Sequence, residues 1–287
     1  MWRLRHRIRR ARTRTDLREP LTKCELSVFS QNGEDGVLLE ILGRTGTPSR
    51  YFVEFGAGGG YQANCVLLAD CFGWSGLFIE ADPTQYAQLE AKYANNDGIT
   101  TLNRRVSSDN IESLLDEASC PAEPDVLSVD IDGNDFWVWA AISRYRPLVV
   151  ITEYNANLLL DRKLVMPRND EHSWDGTDYF GASLGAFQRL AAEKRYALVH
   201  TDSAGVNAFF VSQERATGFP RPGTVPGHTA NYGWAGQHMP RDPNRRPFYD
   251  LDGHRLVDAP RVGGTSHEWE RLEGAGVRPS ACSEHIQ

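Results

Sequence analysis

Between Tyr51 and Ser212 the chain alternates seven short apolar runs with amphipathic stretches, a pattern that few architectures accept. The runs YFVEF (51–55), LFIEA (77–81), Ile99–Val106, DVLSVDI (125–131) and LVVITEY (148–154) read as strands. Helical spacing between them predicts helices near 61–72, 111–118 and 135–143, with a leading helix at 34–43 and another at 182–195. Strands joined by helices require a parallel sheet with right-handed crossovers. The last two runs, YALVHTD (196–202) and VNAFFVS (206–212), are separated only by Ser203-Ala204-Gly205, which is a hairpin connection. The expected fold is therefore α/β, doubly wound, with a mostly parallel seven-stranded sheet whose last strand is antiparallel. A dinucleotide-binding sheet is parallel throughout, so the hairpin counts against that relative.

Outside this region the patterning stops. Residues 1–20 form a basic arm; eight arginines face only Asp16 within residues 1–18, a local charge of +7 in a chain whose net charge is −7. The acidic remainder makes a poor general nucleic-acid binder, while the arm could touch phosphate, an anionic membrane surface or the chain's own acidic face, or simply be solvated. No apolar h-region follows the arm, and no run approaches a bilayer-spanning length, so neither secretion nor a membrane span is expected. Five scattered cysteines without a C-x-x-C pair indicate reduced thiols and a cytoplasmic location. Residues 21–214 are expected to form the domain. The Pro- and Gly-rich residues 215–287 read as an extension packed on it rather than a second domain.

Three marks fall at the carboxyl ends of strands, where open α/β sheets hold ligands. The first is VEFGAGGG (53–60), where Gly56, Ala57 and Gly58 let a ligand approach the backbone. G-x-G-x-x-G would require glycine at 61, which is Tyr61 here. Glu54 has no standard role beside a pyrophosphate but would attract the cationic amino-acid end of S-adenosylmethionine. The second is Glu80, followed by Ala81, placed to accept ribose hydroxyls from either an adenosylmethionine or an NAD. The third is Asp130-Ile131-Asp132-Gly133-Asn134-Asp135. A ligand-free strand–helix turn, and helix capping by Asp132 or Asn134, are the plain alternatives.

Taken in order, SQNGEDGVLLEIL, FVEFGAGGG, GWSGLFIEADP, VDIDGNDFWVW, EYNAN and YFGASL resemble the motifs of class I Rossmann-like methyltransferases. They are most similar to a bacterial group that methylates oxygens of sugars, polysaccharides and natural products. The resemblance spans about residues 28–212. It implies S-adenosylmethionine as cofactor, with Glu54, Gly56 and Gly58 at its methionine end, Glu80 at the ribose and Asp130 beside the methyl group. It also implies a small-molecule or sugar acceptor.

A hydroxyl acceptor needs a base or a metal. On a persistent strand Asp130 and Asp132 share a face, as do Glu153 and Asn155 at the end of the next strand, and such oxygen ligands suit Mg²⁺. In similar sugar O-methyltransferases carboxylates from these two strand ends hold magnesium, which by resemblance points to Asp132, Glu153 and Asn155. Binding cofactor and capping helices without metal is the other reading. His172, in the loop PRNDEHSWDGTDYFGAS, is the candidate general base, with Asp130 and Asp132 as further catalytic candidates; a solvated loop histidine is its alternative. Trp174, Tyr179 and Phe180 could stack on an acceptor or pin the loop, while Trp137 and Trp139 read as packing residues. His228, Tyr232, Trp234 and His238 form a second polar–aromatic group without ligand spacing. Two other functions compete: a methyltransferase-like binding module without turnover, and an NAD-dependent oxidoreductase.

Overall fold

The computed structural model describes residues 20–220, 223–230 and 239–258. After a short 3-10 helix (Leu21–Cys24), α1 (Glu34–Thr45) leads into β1 (Tyr51–Phe55), α2 (Val66–Phe72), β2 (Ser75–Glu80), α3 (Pro83–Tyr93) and β3 (Ile99–Asn103). Then come α4 (Ile111–Glu117), β4 (Val126–Val129), α5 (Asp135–Ala141), β5 (Val149–Glu153), β6 (Leu164–Val165), α6 (Leu184–Glu193), β7 (Tyr196–Thr201) and β8 (Asn207–Ser212). The main sheet has seven strands in the order β3-β2-β1-β4-β5-β8-β7. Strands β1 to β5 are parallel, and β8 enters antiparallel between β5 and β7 with Glu153 opposite Asn207. The strand reversal beside β1 opens the crevice where ligands bind such sheets.

Alternation along the strands explains the two cores. Val53, Phe55, Leu77, Ile79, Leu127 and Val129 face one side, where they pack with α4, α5 and α6 around Trp139, Phe187 and Phe210. Phe52, Phe78, Val126, Ile151 and Phe209 face the other and pack with α1, α2 and α3. Both faces are covered, which is why the strands read as near-continuous apolar runs.

The elements differ from the sequence reading at their ends. The helix expected from Tyr61 starts only at Val66, because residues 61–65 make a turn instead. β4 stops at Val129, so Asp130 and Asp132 lie beyond the strand. The described residues after 214 are irregular, as expected, except for β9 (Phe248–Asp250) and β10 (Arg255–Val257). These make a three-stranded antiparallel sheet, β10-β9-β6, in which Phe248 is fully buried with Leu158, Leu164, Met166 and Tyr179. Among the described residues no helix is long and apolar enough to cross a membrane.

Candidate active site

The glycine loop is bent by contact rather than by composition alone. Gly56 has φ +72°, and a Cβ there would lie 1.7 Å from the carbonyl oxygen of Asp130, so no other residue fits. Its amide donates to the Ile79 carbonyl (3.0 Å), tying β1 to β2 where both strands end. Gly58, at φ +54°, donates its N–H to Glu80 Oε2 (2.7 Å), and Asp82 N–H donates to Glu80 Oε1 (2.7 Å). Glu80 therefore already holds the loop, yet each oxygen keeps a second lone pair for a ligand hydroxyl. Ala57 turns its methyl into the core, and Ala81 is exposed beside Glu80.

Glu54 is buried and accepts from Asn64 N–H (2.7 Å) and Cys65 N–H (2.9 Å), the amides that open α2. Burial pushes its pKa up to about 7, although those two amides pull it down. It lines a cleft with Gly56, Asp130, Ser30, Gln31, Asn32 and Asn64, and Glu34 and Asn207 complete that wall. The residues of the SQNGED segment are therefore part of the site, a role that reading the sequence alone did not assign. Asp35 fixes their loop by accepting the N–H groups of Val28, Phe29 and Ser30 (2.7–2.9 Å). Asn207 donates to Glu34 Oε1 (2.9 Å) and leaves its own Oδ1 buried without a partner.

Past β4 the chain makes a tight turn in which Asp132 takes φ +54°. Asp135 organises it by accepting from Ile131 N–H and Gly133 N–H, both at 2.9 Å. The turn, not a shared strand face, brings Asp130 and Asp132 together with Glu153, with one oxygen from each within 4.8 Å of the others. Burial first, then the neighbouring carboxylates, holds Asp130 and Glu153 well above the usual carboxylate range, and burial raises Asp135 to about 6. Glu153 Oε2 is buried with no hydrogen-bond partner. Asn155, the third residue expected at a metal, is hydrogen-bonded within the loop. Its Nδ2 donates to the carbonyls of Asp178 (2.9 Å) and Phe180 (2.8 Å), and its Oδ1 accepts from Asn157, so the amide is consumed in the loop.

The loop after β6 brings His172 to this turn. A Cβ on Gly133 would lie 2.5 Å from His172 Cδ2, so the imidazole lies flush against the turn, and its Nε2 is buried without a partner. Burial, and then Arg246, lowers the His172 pKa. Asn134 ties the loop down by exchanging hydrogen bonds with the backbone of Asn169 (2.6 and 3.2 Å) rather than capping α5. Trp137 is an anchor too, donating Nε1–H to the Met166 carbonyl (2.8 Å), whereas Trp139 is a core residue. Tyr179 and Phe180 are buried, and Trp174 is exposed with its Nε1–H on the Thr177 carbonyl. His228 pairs with Thr201 (2.9 Å) and, through its carbonyl, with Tyr154 (2.9 Å), not with the carboxylates. Tyr232, Trp234 and His238 lie outside the described residues.

The sheet order and the antiparallel insertion of β8 make this a doubly wound α/β fold with a mostly parallel seven-stranded sheet. No family model matches the chain, and no curated protein matches it. Among solved structures it is similar to the N-terminal domain of EvdMO1 crystallised with SAH and D-fucose, at 15% identity and TM-score 0.41, covering 72% of this chain and 95% of that one. It is also similar to the CMeT domain of a citrinin polyketide synthase (13%, TM-score 0.40, covering 62% and 51%). A third is a putative sarcosine dimethylglycine methyltransferase from Galdieria sulphuraria (18%, TM-score 0.37, covering 56% and 59%).

The raised carboxyls have a consequence for pH. A carboxyl raised to about 7 in the fold, as Glu54 is from 4.5, holds its proton when the unfolded chain has lost it. Its contribution to stability is therefore lost as pH rises from its ordinary value towards 7. His200, lowered from 6.5 to about 4, works in the opposite direction below 6.5. Glu54→Gln removes only the first effect. The Tm of the ligand-free chain should change more favourably between pH 5 and pH 7.5 in this variant than in the wild type. Identical pH profiles in calorimetry would show that Glu54 ionises freely.

Proposed function

We propose that this chain is an S-adenosylmethionine-dependent methyltransferase that methylates an oxygen of a sugar or small polar metabolite. The observation that carries the reading is the convergence at one sheet edge of Gly56 packed on Asp130, Glu54 and Glu80 at neighbouring strand ends, and His172 against the β4 turn. When bound, S-adenosylmethionine supplies a methyl group on a sulfonium centre. The residues of this chain bind, orient and deprotonate. Glu80 accepts ribose hydroxyls at the end of β2, and the open backbone at Gly56 and Gly58 admits the cofactor closely. Glu54, Asp130 and Glu34 offer carboxyl oxygens to its cationic end, whose charge would favour their ionised form, whereas a diphosphate would oppose that ionisation. This favours a sulfonium cofactor over NAD. In-line transfer then requires alignment and a deprotonated acceptor oxygen. His172, kept neutral by its burial, offers the imidazole nitrogen that takes that proton.

Asp130, Asp132 and Glu153 also fit a hard divalent cation, since three carboxylates converge and Glu153 Oε2 has no other partner. A magnesium ion held there would neutralise the cluster and acidify an acceptor hydroxyl. We further read residues 21–214 as the catalytic domain, the later residues as its acceptor-side appendage, and the cytoplasm as its location.

Three measurements test this reading. In calorimetry wild type should bind S-adenosylmethionine and not NAD, and Glu80→Ala should weaken binding by about 1.5–3 kcal/mol, the scale of hydrogen bonds to a charged group. Unchanged affinity would remove Glu80 from the site. Millimolar Mg²⁺ should raise the Tm of the ligand-free chain, and Asp132→Asn should abolish that increment; no shift in wild type would leave the carboxylates without a metal. With an acceptor found by labelled methyl transfer, His172→Ala should lower kcat by about 10²–10⁴-fold while cofactor affinity holds. A variant as fast as wild type would move proton removal to a carboxylate.

A further inference from the structure

Arg246 lies 71 residues beyond Asp175 in sequence, yet it reaches the loop that carries His172. Its Nη2 pairs with Asp175 Oδ2 and contacts Thr177 Oγ1 (3.4 Å), while its Nε pairs with Asp242 Oδ2 (2.9 Å). The guanidinium carbon stands 4.1 Å from the centroid of the Tyr179 ring. Tyr179 in turn meets the His172 ring edge-on, with centroids 6.2 Å apart at 74°. The two segments are stitched by backbone as well. Asp178 N–H donates to the Pro240 carbonyl (2.8 Å), and Asp242 N–H donates to Asp178 Oδ1 (2.9 Å). The base of the clasp is packed, because Phe248 is buried against Tyr179 with centroids 5.1 Å apart.

These contacts differ from ordinary surface ion pairs. A planar fork bridges one carboxylate on the loop and one on the returning chain while lying over an aromatic face, an arrangement that lysine cannot reproduce. The Asp242 side chain is 1% exposed and that of Arg246 30%, so solvent screens the pair less than it does an open one. His172 also lies against the Gly133 turn, 2.5 Å from where a Cβ on Gly133 would stand.

We propose that Arg246 is a positioning residue for the candidate base: it clamps loop 168–179 through Asp175 and Tyr179, so that the His172 imidazole is held on the turn between Asp132 and Asn134. What the imidazole does there rests on the methyltransfer reading; where it is held does not. The clamp also gives the returning segment 239–250 a task in the acceptor half of the site, separate from the glycine loop that serves the cofactor.

The test uses the full chain and needs no acceptor. Arg246→Met keeps the aliphatic stem and removes the fork. Amide hydrogen exchange in 168–178 should become about tenfold faster, as expected for a locally released segment, while β1, β2 and β4 keep their protection. The NMR signals of the His172 ring should move from their wild-type positions, and S-adenosylmethionine affinity should stay within about twofold. Arg246→Lys should recover little of the protection. Unchanged exchange in the loop together with an unmoved His172 signal would overturn the proposal. If Arg246→Met instead loses protection across the core strands, Asp175→Asn decides, since it removes the charge that Arg246 pairs with while its amide oxygen can still accept from Thr177: faster exchange confined to 168–178 supports the clamp, and wild-type exchange overturns it. Failure of the wild type to bind S-adenosylmethionine would count against the proposed function, while the exchange result would still decide the role of Arg246.

Discussion

The approach of the Gly56 backbone to the Asp130 carbonyl sets the geometry of everything around it. Because no side chain stands between them, the loop leaving β1 lies directly on the end of β4. That contact turns the chain towards β2, where the Ile79 carbonyl receives Gly56 and the Glu80 carboxylate receives Gly58. The same turn leaves the amides of Asn64 and Cys65 to be collected by Glu54. Three strand ends are thereby locked to one another without a helix crossing over them, and the space above them stays open. A strand–helix turn built for stability alone would bury that space.

The price of this arrangement is electrostatic. Glu34, Glu54, Asp130, Asp135 and Glu153 crowd the carboxyl edge of one sheet, and burial together with mutual repulsion holds several of them protonated above the usual range. Interiors normally avoid such groups or pair them. Among the described residues Lys92 serves the far side, donating to the Gly60 carbonyl and pairing with Asp70. Such a mismatch fits the pattern in which a fold gives up stability where it works, as the proposed function requires.

Much of this was legible in the residues. Parallel strands buried on both faces produce apolar runs, and a three-residue link between the last two leaves only a hairpin, so the antiparallel last strand followed. Glu54, Glu80 and Asp130 were findable because each sits at a strand end. What was not legible depends on backbone excursions. Asp132 was named beside Glu153, but it reaches the cluster through a left-handed turn rather than along a strand face, and no periodicity announces that turn. Asn155 has the right chemistry two positions after Glu153, but its amide is claimed by carbonyls 23 and 25 residues away. Gln31, Asn32 and Glu34 precede and open a helix, where polar residues usually cap it, and only the fold carries them to the cleft. Arg246 lay in a stretch rich in proline and glycine, whose short strands become visible only once β6 offers an edge.

The antiparallel entry of β8 bears on how quickly the molecule can be assembled. Had that position been filled by another parallel strand, the chain would have needed a further crossover of a dozen residues or more before β5 gained its second neighbour. Instead β7 and β8 are adjacent in sequence and can zip together as a local unit, on the microsecond scale of isolated hairpins. β5 is then covered by one docking event rather than by a search for a distant strand. In a topology otherwise dominated by non-local pairings, which fold slowly, this removes one loop-closure penalty and shortens the exposure of the edge beside Glu153 to other chains.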